Sequence, residues 1–168
     1  ANSFWTTTML QALHRVTGLG DLAVCTFSNQ RSAAEVRRTS GMLLRILPIV
    51  SHSRCQEPDE AMRELQNQLT DTMQHEHYPF CKIQHSQNVP FSFLYIFQEG
   101  LARLHYPEDW QEVGLALPHD DTRICCVQVF PYASGTEVLI EYNGTSYSRS
   151  GAQLFADMWQ SVVRDIIN

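Results

Sequence analysis

Gly41-Met42-Leu43-Leu44-Arg45-Ile46-Leu47-Pro48, then a helical repeat, then His75-Glu76-His77-Tyr78-Pro79-Phe80: this succession decides the fold. Met42 to Val50 is an apolar run of strand length. Pro48 lacks a backbone donor, so the run belongs at a sheet edge or near its own end. Pro58 opens the following helix, Asp59 and Glu60 sit in its first turn, and Met62, Leu65, Leu69 and Met73 recur at helical spacing, which predicts a helix to Gln74. Pro79 forbids its continuation.

Working outward, Met9, Ala12, Leu13 and Val16 recur at helical spacing after Trp5, and Gly18 and Gly20 supply the stop. Leu22 to Phe27 is a short apolar run between turn residues and reads as a buried strand, and Asn29 to Ser40 is polar and connective. Phe91 to Phe97 is aromatic and strand-like. Ile124 to Phe130 and Glu137 to Tyr142 flank Ala133-Ser134-Gly135-Thr136, a hairpin turn. Phe155, Met158, Trp159, Val162, Val163 and Ile166 form one apolar helical face, with Ser148 or Ser150 as N-cap. Helices that alternate with strands in this way predict an α/β sandwich of two or three layers. Glu99 to Asp121 is long for a connection and is expected to serve a function or to contact something else.

Composition sets the outer bounds. A chain of 168 residues, 43% hydrophobic and 18% charged, is expected to form a single domain over residues 1–168. No apolar run approaches the roughly 20 residues that span a bilayer, so no membrane partner is expected. A net charge of −6 and a pI of about 5.6 argue against nucleic acid, which calls for a basic face. Five cysteines (25, 55, 81, 125 and 126) without CxxC spacing suit neither a disulfide framework nor a structural zinc site, and a reducing, cytoplasmic location is expected. Cys125 and Cys126 lie in a strand-like run and read as packing residues on opposite faces. The chain begins within a helical pattern and without a secretory leader, so it is expected to be a piece of something longer or the product of processing.

The sites offered by the residues alone are thin. His75, His77, Cys81 and His85 have a spacing that could surround zinc; the competing reading is a helix terminus whose histidines meet the C-terminal dipole, with Tyr78-Pro79-Phe80 anchoring the next segment into the core. His119-Asp120-Asp121 offers imidazole beside carboxylates, against the plainer reading of a solvated acidic turn. There is no GxSxG elbow, and Gly18-Leu19-Gly20 lacks the rest of a phosphate loop. No catalytic, cofactor-binding or metal residue is therefore assigned.

In order, Leu13-His14-Arg15-Val16-Thr17-Gly18 with Asp21 to Arg31, Gly41 to Pro48, Gln74 to Phe80, and Glu141-Tyr142-Asn143 before the last helix resemble the C-terminal lobe of a nonribosomal peptide synthetase condensation domain. The second block resembles that family's VGxFxNTLP-type strand and the third its HQxxPF-type motif. The resemblance implies one lobe of the two-lobed chloramphenicol acetyltransferase-like fold, a mixed sheet flanked by helices. It marks Gly41, Leu47, Pro48, His75, Tyr78, Pro79, Phe80, Tyr142 and Asn143 as structural motif positions. It also implies that the catalytic HHxxxDG, absent from this sequence, lies on the other lobe, and that Glu99 to Asp121 corresponds to the segment crossing under it. The implied partners are the N-terminal lobe or neighbouring synthetase domains and a peptidyl or acyl carrier protein, with phosphopantetheine carried by that partner and no cofactor bound directly. Arg45-Ile46 stands where the family has Asn-Thr, Val50 where it has Arg, and Cys125 near a common Asp. Two outcomes follow: a carrier-contacting lobe inactive alone, or half of an active amide-forming domain. A free-standing acyltransferase using His75, His77 or His119 ranks below both.

Overall fold

The computed structural model describes residues 1–30, 38–52, 57–87, 92–98, 124–133 and 135–167. Helix α1 (Asn2–Thr17) ends where Gly18 takes a left-handed conformation, φ 68°, and donates its N–H to the His14 carbonyl at 2.9 Å. Strands β1 (Asp21–Ser28) and β2 (Arg45–His52) follow, then α2 (Pro58–Gln74) and α3 (Phe80–Gln87). Strand β3 (Phe93–Phe97), the hairpin β4 (Cys125–Tyr132) and β5 (Gly135–Tyr142), and α4 (Arg149–Ile167) complete the order.

The five strands form one mixed sheet in the order β2-β1-β3-β4-β5. β1, β3 and β4 run parallel, and the two edge strands pair antiparallel. A parallel neighbour requires a return connection of about a dozen residues or more, so topology accounts for a connection of at least that length between β3 and β4. The sequence expectation for Glu99 to Asp121 itself falls outside the described residues.

Strand alternation divides the sheet into two faces. Val24, Ile49, Tyr95, Val127 and Val129 point to one side and join Met9, Leu13, Leu69, Phe155, Trp159 and Val162 from the helices in the core. Cys25, Cys126 and Gln128 belong to the other face, where Gln98 Nε2 donates to Gln128 Oε1 at 2.9 Å and Gln128 Nε2 donates to Glu141 Oε2 at 2.8 Å. Burial pushes the thiols of Cys25, Cys125 and Cys126 up to about 11, which keeps them protonated as packing groups.

The first and last helices lock together. Trp159 is buried between Trp5 and Phe155, its Nε1–H donates to Thr8 Oγ1 at 2.8 Å, and Thr8 Oγ1 donates in turn to the Trp5 carbonyl at 3.0 Å. Tyr95, nearly fully buried beneath them, donates to Asn2 Oδ1 at 3.2 Å, and burial raises its phenol well above the usual range. Ser148 is the N-cap of α4, accepting from Gly151 N–H at 3.0 Å.

Edge strand β2 is blocked. Pro48 offers no N–H, and at Val50 the Gln68 side chain replaces a neighbouring strand: Oε1 accepts from Val50 N–H at 3.1 Å while Nε2 donates to the Val50 carbonyl at 2.9 Å. Pro48 is thus at an edge, as expected, but the strand begins at Arg45, three residues later than the apolar run suggested. Gly41 has φ 135° and Met42 is 86% exposed, so the first residues of the block are a solvated approach. The hairpin is also tighter than its sequence suggested, since Tyr132 already faces Gly135.

Trp159→Phe, which keeps an aromatic ring but removes the indole donor, is expected to cost about 1–2 kcal/mol in denaturant unfolding, and Trp159→Ala about 3–5 kcal/mol. Gln68→Ala is expected to cost about 1 kcal/mol and to introduce concentration-dependent association, read by analytical ultracentrifugation, because it reopens the β2 edge.

Candidate functional site

The motif blocks meet at the end of β1. Ser28, its last residue, is buried and donates its hydroxyl to Glu76 Oε2, within the His75–Phe80 block. Gln30 has a positive φ of 51°, uncommon for a residue with a side chain, and its N–H returns to Ser28 Oγ at 3.2 Å. That turn aims the Gln30 amide between two blocks. Its Oε1 accepts from Arg45 Nε at 3.2 Å, and its Nε2 lies 3.2 Å from His77 Nδ1. An amide nitrogen only donates, so His77 Nδ1 is the acceptor in this contact. β1, the Gly41–Pro48 block and the His75–Phe80 block are therefore joined through two side chains.

His75 ends α2, with Nδ1 2.9 Å from the Asp71 carbonyl, and so serves an unpaired carbonyl of the last turn. The expectation that Tyr78-Pro79-Phe80 anchors the next segment in the core is corrected. Tyr78 is 55% exposed, Pro79 is exposed and Phe80 is half-buried. Pro79 does end α2's continuation, but it also starts a helix that the sequence reading missed, its carbonyl accepting from Lys82 N–H at 3.0 Å. α3 packs against β2, and the sharp bend before it leaves Tyr78 outside.

Leu47 is buried in the core face and Pro48 half-buried on the other. Tyr142 packs against the core from the end of β5, and Asn143 turns the chain toward α4: Oδ1 accepts from Thr145 N–H at 2.8 Å and from its hydroxyl at 2.6 Å. Tyr147 reaches back to the Ser92 carbonyl at 3.0 Å, with burial raising its phenol. Among the described residues no group of three histidines, cysteines or acids could hold a metal, so His75, His77, Cys81 and His85 are not brought together as ligands. His119-Asp120-Asp121 lies outside the described residues.

The network offers positioning and little chemistry. Ser28 faces a carboxylate without an intervening imidazole, and His77 contacts an amide. Gln30 is the residue that sequence reasoning missed, since nothing in Asn29-Gln30-Arg31 marks a left-handed turn. Among the described residues, no helix is long and apolar enough to cross a membrane.

No curated protein matches the chain. Among solved structures, holo T3CT superposes with a TM-score of 0.74 at 16% identity, covering 97% of this chain and 40% of that one. The starter condensation domain of the rhizomide synthetase RzmA gives 0.69 at 15% identity, over 96% of this chain and 40% of that one. The first condensation domain of the calcium-dependent antibiotic synthetase, in complex with substrate analogue 3a, gives 0.68 at 16%, over 96% and 36%. These identities show the fold alone: one lobe of the chloramphenicol acetyltransferase-like architecture, in a chain spanning about 40% of the length of the first structures it matches. The family model for the condensation domain matches residues 2–168, which takes in every motif block tied to the end of β1, and the chain belongs to the condensation domain family.

Proposed function

We propose that this chain is a structural, carrier-contacting lobe of a nonribosomal peptide synthetase condensation domain, and that it forms no amide bond alone. The observation that carries this reading is the network at the end of β1. It uses the residues of the Gly41–Pro48 and His75–Phe80 blocks to hold two segments in register and leaves none of them arranged as base and nucleophile. In a tunnel enclosed by two lobes, catalysis depends on orienting donor and acceptor together. This lobe supplies one wall, and a lobe carrying HHxxxDG supplies the other. The phosphopantetheine arm arrives on a partner carrier protein as the bearer of substrate. Neighbouring synthetase domains are the remaining partners, and a cytoplasmic setting follows from that assembly.

The second reading, half of an active domain, shares every one of these contacts and differs in the result of mixing. With loaded donor and acceptor carriers, the isolated chain is expected to give no amide product above background by mass spectrometry; amide formation by this chain alone overturns the proposal. Restoration of turnover by a separately expressed HHxxxDG lobe favours the second reading.

Glu76→Ala tests whether the motif block is structural. Loss of the charge-assisted bond to buried Ser28 is expected to cost about 1.5–3 kcal/mol in unfolding free energy, with far-ultraviolet circular dichroism unchanged at low temperature.

A further inference from the structure

A cleft of about 370 Å³ opens on the helical side of the sheet, between α1, α2, α4 and the end of β2. Thr7, Leu10, Gln11 and His14 line it from one face of α1, at the spacing that stacks side chains along a helix. Ser51 lines it from β2. His14 Nδ1 lies 2.8 Å from the Leu19 carbonyl oxygen, and its Nε2 lies 3.0 Å from Ser51 Oγ. A carbonyl can only accept, so Nδ1 holds the proton and Nε2 is left to accept from the Ser51 hydroxyl. Hydroxyl, imidazole and orienting acceptor thus stand in the order that activates a nucleophile.

Further along the same cleft, Thr7 is 4% exposed and its Oγ1 has no hydrogen-bond partner. That hydroxyl is sealed from solvent by its own packing, so Thr7 closes the floor of the cleft without offering a polar atom to it. Leu10, Leu65 and Val162 give the cleft an apolar stretch of wall, and Arg15, paired with Asp165 at 3.4 Å, and Glu64 make the remainder charged.

We propose that this cleft binds an ester or thioester and that Ser51 attacks its carbonyl with His14 as base. The Ser51 Oγ–carbon bond forms as the hydroxyl proton passes to His14 Nε2. Collapse of the tetrahedral adduct breaks the carbon–oxygen or carbon–sulfur bond, and the leaving alcohol or thiol takes that proton. Water, deprotonated by His14, then attacks the acyl group, releasing the acid and returning the proton to Ser51 Oγ. Neither HHxxxDG nor a carrier enters these steps, so the inference is independent of the amide-forming reading.

The test uses the 168-residue chain, a fluorophosphonate probe mapped by mass spectrometry, and p-nitrophenyl octanoate. The expected adduct lies on Ser51 and is absent in Ser51→Ala. His14→Ala is expected to slow p-nitrophenol release roughly 100-fold with an unchanged melting profile. Should His14→Ala fail to fold, Ser51→Ala carries the test, since removing one hydroxyl leaves the β1–β2 pairing in place. Absence of an adduct, an adduct elsewhere, or equal release by the native chain and Ser51→Ala overturns the proposal.

Discussion

The contact on which the rest of this structure depends is the buried bond from Trp159 to Thr8, set between two edge-to-face and stacked aromatic neighbours. An indole donor placed in a core needs a partner, and a mid-helix threonine needs somewhere to put its hydroxyl. Each solves the other's problem. Their pairing fixes the rotation of α4 about its axis, which turns Phe155 and Val162 onto the sheet. It also fixes α1, whose Asn2 receives the hydroxyl of Tyr95 from the central strand. Sheet position, helix rotation and layer spacing are thereby coupled through a few polar atoms inside an apolar core.

The departures from the family's usual strand acquire local explanations. Arg45, where Asn is customary, engages the Gln30 amide and so ties the start of β2 to the turn after β1. Val50, where Arg is customary, contributes its backbone: Gln68 saturates both of its outward-facing groups. Cys125 is buried against the core, where burial favours the neutral thiol. These are packing and edge-protection solutions, and they leave the polar network at the end of β1 intact.

How far these features are legible in the residues depends on the range of the interaction that creates them. α2 runs from Pro58 to Gln74 as its proline, acidic first turn and periodicity dictate, because all three act within the helix itself. α4 likewise follows from its apolar face, and the choice between Ser148 and Ser150 is settled by a cap bond three residues long. α3 was missed because its eight residues have no buried side chain to set a period, and because Pro79 stops one helix and begins another with the same missing N–H. The exposed start of the Gly41 block was misread because Met42 and Leu44 look like core and are not. Contacts such as Ser28 with Glu76, or Gln30 with Arg45 and His77, join residues far apart in the chain with no shared spacing, and only the assembled fold brings them together.

The meeting of the first and last helices has a consequence for biosynthesis. Trp159 is synthesised 151 residues after its partner Thr8, so the nascent sheet waits with one side unsealed while the strands between them emerge.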